Sequence, residues 1–222
     1  MKEEIIEYAR KNTTPVSEIL YQLTRETHLT QVSPQMLAGT IQGAMLQMIS
    51  RMIRPNRILE IGTFTGYSAI CLAAGLTPPP DLLPGKGRDR GGVLHTIEIN
   101  PELESIIRKY LHEASLTDAV VLHIGDAMKI IPTLDDTWDL VYLDADKPRY
   151  PDYYNLLFPR IRPGGFILAD NVLWDGKVLD PPEKWDKDTR GITAFNQLVQ
   201  LDTRVENLLL PVRDGLMIIR KI

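Results

Sequence analysis

The sequence predicts an α/β fold in which helices cover both faces of a mostly parallel β-sheet. From about residue 57 onward, short apolar runs typical of buried strands alternate with segments of helical periodicity. Such alternation is typical of parallel sheets, because a crossover helix lies between successive strands. The last two extended segments are joined too tightly for a crossover helix, so we expect an antiparallel hairpin there. A chain of 222 residues can form one domain, and we predict a single domain over 1–222.

The predicted elements begin with a mostly helical region over residues 1–54. Ser17 follows Pro15 as a helix cap, and apolar residues recur at helical spacing from Leu37 to Ile53. Pro55 then ends the helical pattern. Strands are predicted at 57–61, 93–98, 119–124, 138–144, 165–170, 205–210 and 215–220, and helices at 67–76, 101–114, just after 126, at 150–158 and at 192–202. The segment 77–92, rich in proline, glycine and basic residues, is predicted to be an inserted surface loop without an assigned role.

Composition excludes several classes of protein. The net charge of −4 argues against a protein that coats nucleic acid. The single cysteine, Cys71, cannot form an internal disulfide and lies in an apolar helical stretch, so we expect a core residue. The first ten residues are charged, and apolar runs are shorter than the ~20 residues needed to cross a bilayer. We therefore predict a cytoplasmic protein that does not enter membranes.

Acidic residues follow the predicted strands with unusual regularity. Glu60, Glu98, Asp144 and Asp170 end four of them, and Asp126 lies just past another. Ligands of open parallel sheets bind at the carboxyl ends of the strands. Carboxylates that share one edge repel each other unless a ligand or cation is bound. This pattern predicts a binding site at that edge of the sheet.

A glycine-bounded turn, Gly62–Gly66, links the first strand to a helix and favours nucleotide binding. Glycines allow close backbone approach, and the helix N-terminus offers unpaired N–H groups. A dinucleotide-binding turn would place a glycine where Glu60 stands. A carboxylate there would repel a pyrophosphate but suits the ammonium and sulfonium groups of S-adenosylmethionine. A nicotinamide-dependent dehydrogenase is therefore the weaker alternative.

Two further acids fit the rest of that cofactor. Glu98 can accept hydrogen bonds from ribose hydroxyls, and Asp126 with the N–H of Ala127 can read an adenine edge. Each acid alone has an alternative interpretation as a helix cap or a surface charge. Their joint occurrence in this order favours a cofactor pocket.

Asp144, Asp170 and Asn171 form the candidate metal site. Two carboxylates and an amide oxygen are hard ligands, which suit Mg²⁺, with Mn²⁺ or Ca²⁺ as alternatives, rather than zinc. Histidines are scattered along the chain, so no histidine cluster competes for this role. Either aspartate could instead cap a helix.

These motifs together resemble the cation-dependent class I O-methyltransferases, the family that includes caffeoyl-CoA and catechol O-methyltransferases. The resemblance covers nearly the whole chain and is carried by the segments 36–39, 60–68, 97–98, 125–127, 143–147, 169–174 and 210–216. It implies a Rossmann-like methyltransferase fold with a seven-stranded sheet. It also implies homodimers, in which the N-terminal helices of residues 1–54 shape the acceptor pocket.

The resemblance assigns roles to individual residues. It implies that Asp144, Asp170 and Asn171 bind the metal, and that Lys147, beside the acceptor oxygen, is catalytic together with Asp144. The implied cofactor-binding residues are Ala38, Glu60, Gly62, Thr63, Gly66, Ser68, Glu98, Asp126, Ala127, Asp144 and Asp146. One departure is that Gln42-Gly43-Ala44 stands where the family often has Glu-Gly-Gln, and another is the insertion at 77–92.

The predicted function is a metal-dependent transfer of a methyl group from S-adenosylmethionine to a catechol-like small phenolic acceptor. Methylation of a hydroxylated uridine in tRNA is an alternative, for which the candidate contacts are Arg51, Arg54, Arg57, Lys86, Arg88 and Arg90. A binding protein without activity is a further alternative. Lys147 could instead be a solvated lysine paired with Asp146. Trp174 and Tyr150 could clamp a flat acceptor or serve in packing.

Overall fold

A computed structural model describes residues 3–77 and 91–222 of the chain. The helices are α1 (Glu3–Lys11), α2 (Glu18–Thr30), α3 (Gly39–Ile53), α4 (Tyr67–Ala73), α5 (Glu104–Glu113), α6 (Ala127–Ile130), α7 (Tyr150–Leu157) and α8 (Lys187–Leu201). The strands are β1 (Arg57–Ile61), β2 (Val93–Glu98), β3 (Val120–Ile124), β4 (Trp138–Leu143), β5 (Ile161–Asp170), β6 (Val205–Leu210) and β7 (Leu216–Lys221). Most of the predicted insertion at 77–92, including Lys86, Arg88 and Arg90, lies outside the described residues.

The strands form one seven-stranded sheet in the order β3-β2-β1-β4-β5-β7-β6. The pairs β2–β3 and β4–β5 are parallel, whereas β7 is antiparallel to both β5 and β6. The predicted fold class, a mostly parallel sheet that ends in an antiparallel hairpin, is therefore confirmed. The second strand of the hairpin is inserted between β5 and β6, which adds an antiparallel pairing that the hairpin alone did not predict.

Two elements begin earlier than the sequence predicted. Strand β5 starts at Ile161 rather than at residue 165. The prediction missed its first half because Pro163 and Gly164 are not typical of strands. A Cβ on Gly165 would lie 2.8 Å from the Ile161 side chain, so a glycine is needed where the register with β4 shifts. Helix α8 starts at Lys187 rather than at residue 192, because the Asp186 carboxylate accepts a hydrogen bond from the Thr189 N–H and caps it.

The chain divides into two compact units. The first unit comprises Met1–Ile58 and Thr63–Asp126, and the second comprises Leu59–Gly62 and Ala127–Ile222. In the first unit α3 packs closely on α4, and Cys71 is buried as predicted. Within the described ranges, no helix has the length and apolar character needed to cross a membrane. The organisation of 1–222 as a single domain stays a prediction.

The second unit has its core around β4. Every residue of Trp138–Leu143 is buried, which is typical of a parallel strand covered on both faces. Apart from Asp139, the strand is apolar throughout, and this pattern made β4 recognisable in the sequence. The polar residues that follow it, from Asp144 onward, lie where the strand leaves the core.

Candidate active site

Within the second unit, Gly62, which directly follows β1, lies against the backbone of Asp144. The Asp144 N–H donates to the Ile61 carbonyl at 2.9 Å. Gly62 has φ +95°, and a Cβ there would lie 2.0 Å from the Asp144 carbonyl oxygen. Only glycine meets both conditions without displacing the backbone. Gly62 is therefore required for the close approach of β1 to the candidate metal ligand.

Lys147 is buried and faces Asp144. Its side-chain amine donates to Asp144 Oδ1 at 2.8 Å and to the Tyr150 hydroxyl at 2.8 Å, and the residue is 7% exposed. Asp146 instead accepts from the Tyr153 hydroxyl at 2.7 Å and lies 3.4 Å from Arg149. The structure thus favours the lysine beside the candidate metal ligand over a solvated lysine paired with Asp146.

The ring of Tyr150 serves in packing rather than as an acceptor clamp. Its ring is fully buried and lies edge-on to Phe195, with ring centroids 5.4 Å apart. Its hydroxyl lies 3.1 Å from the Leu143 carbonyl oxygen and 2.9 Å from that of Asp170. Trp174 keeps the other interpretation open, because its half-buried ring has its centroid 5.9 Å from Lys147 Nζ.

Asp170 accepts a hydrogen bond from another buried tyrosine, Tyr142, which the sequence analysis did not single out. The Tyr142 hydroxyl donates to Asp170 Oδ2 at 2.9 Å, and Oδ1 accepts from the Asn171 N–H at 2.9 Å. Burial, then the nearby carboxylates of Asp170 and Asp144, raise the pKa of Tyr142 well above its usual value. Burial, Asp144 and Asp170 do the same to the pKa of Tyr150. Both carboxylates therefore act on the same two hydroxyls.

Asn171 begins an irregular segment that neighbouring elements hold in place. It has φ +58°, a left-handed conformation that asparagine tolerates better than most residues. The Asn196 side chain on α8 donates to the Val172 carbonyl at 2.8 Å. The Leu173 N–H donates to the Asp214 carbonyl at 2.9 Å, in the turn between β6 and β7. The position of Asn171 is thus fixed by contacts on both sides of the segment.

The donor set of this unit fits a hard divalent cation. Asp144 and Asp170 supply carboxylate oxygens from adjacent strand ends, and Asn171 adds an amide oxygen. The Asp144 side chain is 28% exposed, so a ligand can reach it from solvent. Among the residues that the structure describes, no group of three or more His, Cys, Asp or Glu could hold a metal. A cation here therefore depends on the asparagine as its third protein ligand.

In the first unit, polar contacts order the predicted cofactor turn. The hydroxyls of Thr63 and Thr96 lie 2.5 Å apart and are buried. Glu98 accepts from the Phe64 N–H at 2.8 Å through Oε2 and from the Asn100 N–H at 2.9 Å through Oε1. Each carboxylate oxygen has a second lone pair, so Glu98 can still accept hydrogen bonds from ribose hydroxyls.

Helix α2 also contacts this turn. The Thr27 hydroxyl donates to that of Thr65 at 3.0 Å, and both residues are fully buried. Gly66, at φ +97°, then starts α4, whose first turn buries Ser68. The Gly125 N–H donates to the Glu98 carbonyl at 2.8 Å and brings the segment before Asp126 to the end of β2.

The remaining predicted site residues lie at element ends. Ala38 immediately precedes α3, Glu60 is fully buried within β1, and Ala127 is the buried first residue of α6. The sequence analysis missed the hydroxyl groups that hold the site, those of Tyr142, Thr96 and Thr27. A tyrosine two residues before Asp144 shares its strand face, which is a signal that could have indicated Tyr142. Thr27 carries no comparable signal, because Thr65 is 38 residues away.

Over most of its length the chain is similar to known O-methyltransferases. The family model described as "O-methyltransferase" matches residues 10–222. A catechol O-methyltransferase from Niastella koreensis is 34% identical, over 80% of this chain and 76% of the relative. A caffeoyl-CoA O-methyltransferase from Eucalyptus gunnii is 29% identical, over 93% of this chain and 88% of the relative.

Solved structures of O-methyltransferases are also similar to this chain. The O-methyltransferase TomG from Streptomyces achromogenes, in complex with S-adenosylmethionine, superposes with a TM-score of 0.86 at 30% identity, over 100% of this chain and 99% of that protein. An O-methyltransferase from Bacillus cereus, in complex with S-adenosylhomocysteine, has a TM-score of 0.86 at 26% identity, over 99% of this chain and 97% of that protein.

Proposed function

This chain belongs to the O-methyltransferase family, and we propose that it uses a divalent cation to methylate one oxygen of a vicinal-dihydroxy aromatic small molecule. The family match and the similar proteins confirm the class of enzyme that the sequence predicted, an S-adenosylmethionine-dependent O-methyltransferase. The observation that carries the proposal is the buried amine of Lys147, 2.8 Å from Asp144 Oδ1. A base and a hard metal ligand thus adjoin each other at one end of β4.

Two features support the choice of acceptor. The relatives from Niastella koreensis and Eucalyptus gunnii are named for catechol and for caffeoyl-CoA, and both acceptors carry adjacent aromatic hydroxyls. The Trp174 ring, beside Lys147, offers an apolar face of the right kind for a flat aromatic molecule. A small phenolic acceptor therefore fits the site beside Lys147 and Trp174 better than a nucleotide within tRNA.

Asp144, Asp170 and Asn171 would hold the cation. When bound, the cation supplies a Lewis acid that lowers the pKa of an acceptor hydroxyl and a template for two adjacent oxygens. Lys147 takes the proton that this hydroxyl loses. The oxygen–carbon bond then forms as the carbon–sulfur bond breaks, which leaves S-adenosylhomocysteine. Holding the reacting atoms in line can contribute up to ~7–11 kcal/mol of barrier reduction.

Carboxylates near the ends of β1, β2 and β3 would bind the cofactor. Glu98, held by two backbone N–H groups, presents its remaining lone pairs to the ribose hydroxyls. Asp126 and Ala127 would recognise the adenine edge, and Gly66 opens the helix that follows the turn. Glu60 provides the negative charge that favours a sulfonium over a pyrophosphate.

An acceptor screen tests the proposal directly. The purified chain is incubated with methyl-labelled S-adenosylmethionine and a catechol, a flavonoid, a hydroxycinnamoyl thioester or bulk tRNA. Each acceptor is tested with EDTA and with added Mg²⁺, Mn²⁺ or Ca²⁺, and matched monophenols that lack the second hydroxyl serve as controls. We expect labelling only of acceptors with two adjacent aromatic hydroxyls, and only when a divalent metal is present. Equal labelling in excess EDTA, or of tRNA alone, contradicts the proposal.

We also propose that the enzyme is a homodimer in the cytoplasm, assembled through its N-terminal helices. These helices expose large apolar side chains, which commonly mark protein interfaces: Tyr8, Tyr21, Leu29, Met48 and Met52. Light scattering coupled to size-exclusion chromatography should give twice the mass of 25.1 kDa. Met48→Glu with Met52→Glu should shift the mass to that of the monomer, whereas Leu208→Glu, on β6, should not. A monomeric wild-type protein would exclude the dimer.

A further inference from the structure

The Tyr150 hydroxyl contacts Lys147 and the last residues of β4 and β5, although Tyr150 is not itself a predicted ligand. We infer that the Tyr150 hydroxyl is the positioning group that aligns Lys147 with the two strand ends that carry Asp144 and Asp170. This inference rests on the proposed function, because it assigns the orientation of the base that the proposed reaction needs. The reaction as proposed above gives this hydroxyl no role of its own.

A single oxygen atom makes all of the relevant contacts. Tyr150 Oη lies 2.8 Å from Lys147 Nζ, 3.1 Å from the Leu143 carbonyl oxygen and 2.9 Å from the Asp170 carbonyl oxygen. Leu143 is the last residue of β4, and Asp170 is the last residue of β5. The hydroxyl therefore bridges the two strands at the point where their candidate ligands leave the sheet.

Hydrogen-bond directions determine what the lysine can do. The Tyr150 hydroxyl has one proton, which it donates to a carbonyl, so towards Lys147 it can only accept. The second acceptor for the amine is Asp144 Oδ1, at 2.8 Å. The Lys147 nitrogen is thus held by two oxygen acceptors at once, and its remaining position points away from both. Tyr150 thereby fixes the orientation of the Lys147 amine.

Tyr154 provides a matched control on the same helix. Both tyrosines are buried, and both rings lie edge-on to Phe195, at centroid distances of 5.4 Å for Tyr150 and 6.1 Å for Tyr154. The Tyr154 hydroxyl, however, donates to Asp202 at 2.9 Å, just after the end of α8. Replacing either tyrosine by phenylalanine removes one buried hydroxyl and leaves the ring packing in place.

The test compares Tyr150→Phe with Tyr154→Phe in the full chain. We expect Tyr150→Phe to lower kcat about 100-fold, in the range of general acid–base contributions, and to weaken Mn²⁺ binding about 10-fold. Tyr154→Phe should leave both within about twofold, a margin set by the small effect of a single remote hydrogen bond. Mn²⁺ affinity is measured by electron paramagnetic resonance. Calorimetric titration with S-adenosylhomocysteine verifies that each variant is folded.

A double-mutant cycle with Lys147→Met separates positioning from general stability. If Tyr150 acts through the lysine, adding Tyr150→Phe to Lys147→Met should lower kcat little further, whereas a purely structural effect would multiply. Equal kcat in Tyr150→Phe and Tyr154→Phe, or multiplicative losses in the cycle, overturns the inference. A wild-type enzyme that neither binds Mn²⁺ nor loses activity in EDTA contradicts the proposed metal dependence instead, and kcat still decides the role of Tyr150.

Discussion

The two units hold their key acids by different means. Glu98 in the first unit accepts hydrogen bonds from two backbone N–H groups, those of Phe64 and Asn100. Asp144 in the second unit accepts from the side-chain amine of Lys147 and remains partly open to solvent. Backbone donors fix a carboxylate rigidly without neutralising it, which suits recognition of neutral hydroxyls. A lysine partner balances the charge and can itself exchange a proton, which suits chemistry.

The largest expected effect follows from removing the acid of the second unit. Asp144→Ala should lower kcat/KM at least about 10³-fold, or about 4 kcal/mol, because it removes a metal ligand and the partner of Lys147. Mn²⁺ binding should be lost, while affinity for S-adenosylmethionine should fall far less than kcat/KM, because Asp144 is only one of several predicted cofactor contacts. Asp152→Ala, an exposed acid on α7, is the control and should keep full activity. Full activity of Asp144→Ala would contradict the catalytic role that distinguishes Asp144 from Glu98.

Gly62→Ala tests how closely the end of β1 must approach Asp144. Its Cβ would lie 2.0 Å from the Asp144 carbonyl oxygen at φ +95°, so we expect a loss of about 3 kcal/mol or more in the free energy of unfolding. Urea denaturation measures the loss. Gly176→Ala is the matched control, because φ is +76° there but nothing lies within 4 Å of the added Cβ. It should cost only about 1 kcal/mol. Equal losses would mean that the contact with Asp144 is unimportant.

Glu98→Gln should separate cofactor binding from metal binding. The amide keeps one acceptor oxygen, but its NH₂ group faces one of the two backbone N–H donors that Glu98 now satisfies. We expect the Kd for S-adenosylmethionine to rise about 10-fold, equivalent to about 1.4 kcal/mol, with unchanged Mn²⁺ affinity. Glu102→Gln, an exposed acid just after β2, serves as the control. A matching loss of Mn²⁺ affinity in Glu98→Gln would show that the two acids do not act separately.

The sequence predicted the sheet well because its strands carry strong local signals. Strand β4 reads as an apolar run interrupted only by Asp139, and the acids that follow the strands predict a binding site at one edge of the sheet. The start of β5 was missed because Pro163 and Gly164 suppress local strand propensity, whereas in the folded chain Ile161 pairs with Trp138 on β4. Tertiary pairing of this kind leaves no local pattern to detect.

The candidate ligands were predictable, but the groups that orient them were not. Asp144 and Asp170 belong to recognisable motifs, whereas the only sequence signal for Tyr142, which donates to Asp170, is that it shares a strand face with Asp144. Tyr150 was considered only for its ring, and its hydroxyl acts between two strands and a lysine. Contacts of this type depend on side-chain directions that only the folded chain determines.

Thr27→Val tests the support of the cofactor turn by α2. The substitution keeps the shape but removes the donor to Thr65 in a buried pair, which should cost about 1–2 kcal/mol of stability. Affinity for S-adenosylmethionine should fall severalfold, because Thr65 lies within the turn. Thr27→Ser retains the hydroxyl and should retain the affinity. If valine keeps the wild-type affinity, or if serine lowers it as much as valine does, the hydrogen bond between Thr27 and Thr65 is not what supports the turn.

The smallest expected effect concerns an acid at the surface of the first unit. Glu26 on α2 accepts from Lys109 at 2.5 Å and from the Tyr110 hydroxyl at 2.7 Å. The hydrogen bond from Lys109, followed by that from Tyr110, lowers the pKa of Glu26 below its usual value of 4.5. Because the folded-state pKa is the lower one, the stabilisation is present above that usual value and is lost as the pH falls through the folded pKa.

Glu26→Gln should therefore reduce the free energy of unfolding by less than about 1 kcal/mol near pH 7, since exposed ion pairs contribute little. The difference from the wild type should shrink as the pH is lowered below 4.5. Urea denaturation at several pH values measures it, with Glu7→Gln on α1 as an exposed control. A difference that persists in acid would assign the effect to packing of α2 on α5. Glu26 would then differ from Glu98 and Asp144 in not acting through its charge.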